Sequence, residues 1–206
     1  VEIVGQTADT LVGASLVGER MILAYLGDAK SEAELRTLDG RLIGPITLPA
    51  IGSAAGFGGK GGDPETFYTF SSYAIPPTVY RFDTNTGKAE IFTRPNVAFD
   101  PADYVTEQRF YSSKDGTRIP MFLVQRKDSL GKGPMPTLLY GYGGFNISVA
   151  PAFDAPKLAW LEQGGALAVA NLRGGGEYGA NWHNAGRLQA KQNVFDDFIA
   201  AGEYLI

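Results

Sequence analysis

Leu138-Leu139-Tyr140-Gly141-Tyr142-Gly143-Gly144-Phe145-Asn146 is the stretch that decides the fold: a short apolar run stops there at a turn carrying two aromatic rings on a backbone nearly free of side chains. Thr137 to Tyr140 has the length and composition of a short, buried strand. Gly141, Gly143 and Gly144 permit φ > 0 and close approach of backbone to a ligand, at an entropic cost that a plain connector has no reason to bear. Two readings of the rings stand side by side. Tyr142 and Phe145 either pack as core behind a strand-ending turn, as aromatics mostly do, or they line a site.

Downstream, Ala155–Gln163 follows a helical pattern stopped by Gly164-Gly165, and Ala166–Leu172 reads as a second buried strand. Apolar strand, helix, apolar strand and helix make a βαβ unit with a parallel sheet. The last helix is expected to start at Asn193 as its N-cap. Asp196 and Asp197 fall in its first turn, where the helix dipole favours carboxylates, and read as cap and surface charge. Val194, Phe195, Phe198, Ile199, Leu205 and Ile206 recur at helical spacing as its core-facing stripe. Upstream of the decisive stretch, Val105–Tyr111 and Thr117–Val124 form a strand pair around Asp115-Gly116, a strong hairpin signal, and a polar linker runs from Gln125 to Met135.

Residues 1–97 read as all-β. Leu11–Val17, Arg20–Leu26, Glu34–Leu38, Thr66–Ser71, Thr78–Phe82 and Ala89–Thr93 are short runs with β-branched or aromatic residues, separated by turn signals. Leu35-Arg36-Thr37-Leu38-Asp39-Gly40-Arg41 resembles Val79-Tyr80-Arg81-Phe82-Asp83 followed by Thr86-Gly87-Lys88, with Leu38 and Phe82 a step of 82 − 38 = 44 apart. That step suits one four-stranded blade of a β-propeller, for which roughly 40–50 residues is usual. A coincidental match inside a β-sandwich is the alternative. Two blades do not close a ring, which takes about four or more. The expectation is therefore a piece of something longer, consistent with a start on Val1 and an end inside an apolar helical pattern at Tyr204-Leu205-Ile206.

Composition removes several classes of function. A chain that is 44% hydrophobic and 19% charged is ordinary for a globular protein. A formal net charge of −4 without a basic run argues against nucleic acid as a partner. No stretch approaches the roughly 18 consecutive apolar residues of a membrane span, so no membrane partner is expected. With no Cys and one His, disulfides, thiolate catalysis and clustered-imidazole metal sites are excluded, and no metal is expected. A cytoplasmic compartment is the expectation, with a periplasmic one as the alternative.

Two chemistries fit the βαβ unit. Gly174-Gly175-Gly176-Glu177-Tyr178-Gly179 satisfies the dinucleotide pattern G-x-G-x-x-G after a strand and before a helix. The acid that should hold the ribose, however, would be Asp196, in a helix rather than at a strand end, and Arg173 and Glu177 crowd the loop. A noncatalytic or dinucleotide-binding βαβ protein with a β-rich interaction module is the alternative this keeps open. The other chemistry is acyl transfer on an α/β-hydrolase sheet, where the loop after an early strand supplies half of an oxyanion hole. The Gly141–Phe145 turn is placed for that role.

Four stretches closely resemble the prolyl oligopeptidase family of serine peptidases: Leu138–Ser148, Ala168–Gly179, Tyr111–Phe122 and Lys191–Phe198, in that family's order. The likeness is strong over residues 105–206 and looser over the β part. Gly141-Tyr142-Gly143-Gly144-Phe145-Asn146 matches the prolyl-specific branch better than the Gly-Tyr-Gly-Ser-Tyr-Gly usual in oligopeptidase B. The resemblance implies the C-terminal portion of a β-propeller over residues 1–97 and the N-terminal portion of an α/β-hydrolase peptidase domain over residues 98–206. It implies cleavage of short peptides after proline, without a cofactor. Carried over residue by residue, it makes Tyr142 the oxyanion tyrosine and Phe145 an aromatic wall of the proline pocket, the substrate-binding residue.

The nucleophile does not carry over. No serine here sits in a Gly-x-Ser-x-Gly elbow; Ser71, Ser72, Ser112, Ser113 and Ser148 all lack that context. His183, in Trp182-His183-Asn184, does not match the family's catalytic histidine and reads as structural. The chain thus carries the entry half of a catalytic site and is expected to be inactive alone.

Overall fold

The computed structural model describes residues 2–206. They divide into two compact units, residues 2–98 with Ala150–Phe153, and residues 99–149 with 154–206.

The first unit is two antiparallel sheets of four strands, each in sequence order. One holds β1 (Thr10–Val17), β2 (Arg20–Gly27), β3 (Lys30–Thr37) and β4 (Leu42–Pro45); the other holds β5 (Ser53–Gly58), β6 (Glu65–Ser72), β7 (Ile75–Asp83) and β8 (Ala89–Thr93). Period-two alternation builds the core: along β6, Thr66, Tyr68, Phe70 and Ser72 point inward. Tyr68 and Phe70 meet Ile22, Leu35 and Phe57 in one cluster, with Phe57 stacked on Tyr68 at 4.7 Å and Tyr68 on Tyr80 at 5.2 Å. These are two propeller-type blades. The sequence repeat marks the third strand and following turn of each, but Leu38 and Phe82 are not equivalent. Phe82 is the last inward residue of β7, whereas β3 ends at Thr37 and Leu38 lies half-exposed in the turn. β4 and β5 escaped the sequence reading because their Gly-rich, Pro-flanked segments lack the β-branched alternation that signals a strand.

The second unit is a four-stranded mixed sheet in the order β11-β12-β10-β9, with β9 (Tyr104–Ser112), β10 (Arg118–Arg126), β11 (Thr137–Gly141) and β12 (Ala166–Ala170). β9 and β10 form the expected hairpin, closed by Ser113 N–H donating to the Thr117 carbonyl at 2.8 Å. β12 runs antiparallel to β10 and parallel to β11, with α1 (Ala155–Glu162) as the crossover. Trp160 Nε1 donates to the Ala166 carbonyl at 2.7 Å and fastens α1 to the start of β12. α2 (Gly179–Asn184) and α3 (Gln192–Leu205) follow. The core gathers Ile119, Met121, Ala168, Ala170, Leu172, Val194 and Ala201. This is the N-terminal part of an α/β-hydrolase sheet.

Three local expectations are corrected. β12 is wholly buried, but β11 is not: as an edge strand with one neighbour it leaves Leu138 and Tyr140 half-exposed. α3 begins two residues early, at Gln192 with Lys191 in the N-cap position, and Asn193 lies inside it, its Nδ2 donating to the Ala185 carbonyl at 2.9 Å instead of capping. Its buried face is Val194, Asp197 and Ala201, with Leu205 partly buried against the same core, while Phe195, Phe198, Ile199 and Ile206 stay exposed. Among the described residues no helix is long and apolar enough to cross a membrane.

Candidate active site

The turn after β11 is held on both sides. Lys191 Nζ donates to the Gly143 carbonyl at 2.8 Å, Asn146 N–H to the Gly174 carbonyl at 3.1 Å, and Ile147 N–H to the Gly144 carbonyl at 3.0 Å. Its glycines act differently from one another. Gly143 alone has φ > 0, at 59°, and a Cβ there would lie 2.8 Å from Leu172 Cβ and 2.9 Å from the Arg173 carbonyl. Gly141 serves close approach, since a Cβ there would meet Leu172 Cδ1 at 2.8 Å, and Gly144 has room for one.

Fixed in this way, the turn presents both rings to solvent. Tyr142 is 43% exposed and its hydroxyl has no hydrogen-bond partner among the described residues. Phe145 is 83% exposed and lies 6.5 Å from the Tyr142 ring at an interplanar angle of 29°. Phe145 and Asn146 both take left-handed backbone, φ 53° and 57°. For a bulky residue that conformation costs on the order of 1–2 kcal/mol, and strain of this kind clusters at functional sites. Among the described residues neither ring is packed as core.

Beneath the turn lies a buried ionic strut that the sequence reading missed. Asp197 is 0% exposed and Arg173 4%. Asp197 accepts from Arg173 Nη2 at 2.6 Å, from its Nε at 3.0 and 3.1 Å, from its backbone N–H at 3.1 Å and from Ser113 Oγ at 2.6 Å. Asp197 is therefore no surface charge; only Asp196 is, accepting from Gln192 Nε2 at 3.0 Å. Arg173 Nη1 also reaches Asp115 at 2.5 Å. The guanidinium holds the Asp115 carboxyl well below the usual carboxylate range, while the hydrogen bonds Arg173 donates to Asp197 push the guanidinium further up. Burial raises the Tyr111 phenol, which donates to the Asp197 carbonyl at 2.9 Å. The strut sets Arg173 and Leu172, the wall against which Gly143 packs.

The glycine-rich loop is filled by protein. Gly174 N–H donates to the Trp182 carbonyl at 3.0 Å and Gly179 N–H to the Gly176 carbonyl at 3.1 Å. A Cβ on Gly176 would lie 2.6 Å from the Asn146 carbonyl, so this glycine makes room for the aromatic turn. Glu177 is buried and accepts from Val149 N–H at 2.9 Å and Asn171 Nδ2 at 3.3 Å, and its carboxyl is raised by desolvation. With the Gly174, Gly175 and Gly179 N–H groups paired internally and Asp196 inside a helix rather than at a strand end, the loop is not laid out as a pyrophosphate seat, and the dinucleotide alternative falls. His183 Nδ1 donates to the Gly174 carbonyl at 2.7 Å, bracing the same loop, and no Ser–His hydrogen bond occurs among the described residues. Nor is there, among those residues, a cluster of three metal-ligating side chains.

Propeller-type blades followed by an α/β-hydrolase sheet, with a tyrosine-bearing glycine turn at the end of the sheet's third strand, define a class of serine hydrolase scaffold. Two family models match in the same order, the "Prolyl oligopeptidase, N-terminal beta-propeller domain" over residues 2–95 and the "Prolyl oligopeptidase family" over residues 151–206. The chain belongs to the prolyl oligopeptidase family. It is 49% identical over 188 residues to a prolyl endopeptidase of Elizabethkingia miricola, covering 91% of this chain and 27% of that protein. It is 44% identical to a prolyl endopeptidase of Elizabethkingia meningoseptica, covering 99% and 29%. Among solved structures, one from a study of two prolyl endopeptidases matches with a TM-score of 0.90 and 52% identity, over 98% of this chain and 29% of that one. The apo form of prolyl oligopeptidase B from Galerina marginata matches with a TM-score of 0.88 and 34% identity, over 97% and 29%. The chain thus spans less than a third of the length of the curated relatives it matches.

Proposed function

We propose that this chain is part of a serine endopeptidase that hydrolyses short peptides on the carboxyl side of proline. Residues 1–97 are then the C-terminal portion of a β-propeller, and residues 98–206 the N-terminal portion of an α/β-hydrolase peptidase domain. The observation that carries the reading is the half-exposed, unpartnered Tyr142 phenol, stacked beside a strained and exposed Phe145 at the end of β11.

When a nucleophile attacks a peptide carbonyl, negative charge develops on the carbonyl oxygen. A phenol already aimed outward can donate to it, alongside a backbone N–H, without first breaking a hydrogen bond inside the protein. Phe145 serves as a wall of the S1 pocket, where a flat ring suits proline, whose pyrrolidine offers little beyond apolar contact. The serine, aspartate and histidine of a triad are not among these residues, so the chain supplies the oxyanion side and the pocket wall and is inactive alone. Support comes from the names of its relatives and from the Galerina marginata oligopeptidase, solved with a 25mer macrocyclization substrate bound. The chemistry calls for no cofactor.

The test compares a fluorogenic peptide with proline before the reporter and its alanine counterpart. The complete enzyme should turn over the first far faster and lose activity to a fluorophosphonate, and the 206-residue chain should turn over neither. Equal turnover of the two peptides, or activity that survives the serine-directed reagent, would overturn the assignment.

A further inference from the structure

A second bulky residue is held in left-handed backbone and turned out to solvent close to the first. Leu188 has φ 50° and is 80% exposed, and it shares a groove of about 530 Å³ with Phe145. That volume is in the range of small-ligand sites. Between the two apolar walls the floor is Gly144, Gly174 and Gly186, which leaves space for another chain to lie against backbone.

The charges beside the groove have one sign. Arg187 and Lys191 line it and no aspartate or glutamate does. Lys191 spends a hydrogen on the Gly143 carbonyl, whereas the exposed Arg187 guanidinium has no hydrogen-bond or ion-pair partner among the described residues. A short peptide carries an ammonium on the acyl side of its scissile bond and a carboxylate on the leaving side. The cations repel the first and attract the second.

We propose that the Phe145–Leu188 groove is the subsite for the leaving-side segment of the substrate, with Arg187 pairing its terminal carboxylate. The proposal rests on the peptidase reading and adds to it a preference for short peptides with a free C-terminus.

Two peptides, identical through proline and two residues beyond it, one ending in a free carboxylate and the other in an amide, test this in the complete enzyme. At low salt kcat/KM for the acid should exceed that for the amide by roughly 2- to 5-fold, the upper range of one exposed ion pair. The ratio should shrink toward one as salt screens the pair. Arg187→Gln should bring the ratio to about one, Arg187→Lys should keep most of it, and Arg187→Glu should invert it. A ratio of one in the unmodified enzyme at low salt, or a ratio untouched by Arg187→Gln, overturns the subsite. Should the variants fail to fold, the salt dependence of the unmodified enzyme decides alone. Failure to cleave either peptide is a different result, and sinks the peptidase reading itself.

Discussion

Replacing Asp197 by asparagine isolates the ionic strut, because the side chain keeps its shape and loses its charge. Oδ1 accepts from Ser113 Oγ, Arg173 Nε and Arg173 Nη2, and Oδ2 from Arg173 N and Nε. Whichever way the new amide is turned, its NH₂ confronts at least two N–H donors. Arg173, 4% exposed, is left with Asp115, whose side chain is half in water and so screened. Removing one partner of a buried pair costs about 3–5 kcal/mol, and the surviving Asp115 contact places this case near 3. Trp160 and Trp182 are the two tryptophans of the chain and both lie in the α/β unit, so tryptophan emission during urea unfolding reports that unit. With an m-value of roughly 1–3 kcal/mol/M the midpoint should fall by about 1–3 M at unchanged slope. The double variant Arg173→Met, Asp197→Leu should regain much of the loss, since it buries no unpaired charge. A midpoint moved by an amount worth less than about 1 kcal/mol, or a double variant weaker than the single one, would refute the strut as a stabilising element.

The other predictions concern the turn and the buried carboxyls. In the complete enzyme Tyr142→Phe should lower kcat by about 10²–10³ with little change in KM, the signature of a donor used mainly in the transition state; near-normal kcat would strip Tyr142 of that role. Phe145→Ala should cost roughly 10–200-fold in kcat/KM on proline peptides while an acylating reagent that leaves S1 empty reacts almost normally, and an equal loss on both probes with a lowered Tm would make Phe145 a packing residue. Glu177, raised by burial, holds its proton more tightly folded than unfolded, so its ionisation subtracts stability as pH rises from the unfolded value near 4.3 through the folded one. Glu177→Gln should therefore gain on the native protein in urea midpoint as pH rises above the unfolded value and level off once the folded carboxyl has ionised, and parallel pH profiles would show that the carboxyl is not desolvated as described. Asp115, lowered by Arg173, acts in the opposite sense: its stabilisation is present above the unfolded pKa near 3.9 and is lost as pH falls toward the folded one, a limb that Asp115→Asn should erase.

What was legible in the sequence was what neighbours along the chain decide. The Asp115-Gly116 hairpin, the βαβ order and the Gly141–Asn146 turn each rest on residues within a few positions of one another, and the structure has all three. The strut was not legible in that way, because the partners of Asp197 stand 24 and 84 residues away, at Arg173 and Ser113. A trace of it was there nonetheless. Positions 194, 197 and 201 follow the i, i+3, i+7 spacing of one helical face, so a carboxylate between Val194 and Ala201 had to be buried if they were. Ranking side chains by hydrophobicity instead favoured Phe195 and Ile199, which face out. The turn holds the same lesson in its backbone: glycine is where left-handed φ is cheap, yet of its three glycines only Gly143 uses it, and Phe145 and Asn146 bear the strain. Composition shows where strain can be avoided. It takes the structure to show where strain is accepted, and here it falls on the exposed Phe145, kept in its unfavourable conformation by the hydrogen bonds around it, from Asn146 N–H to the Gly174 carbonyl and from Ile147 N–H to the Gly144 carbonyl.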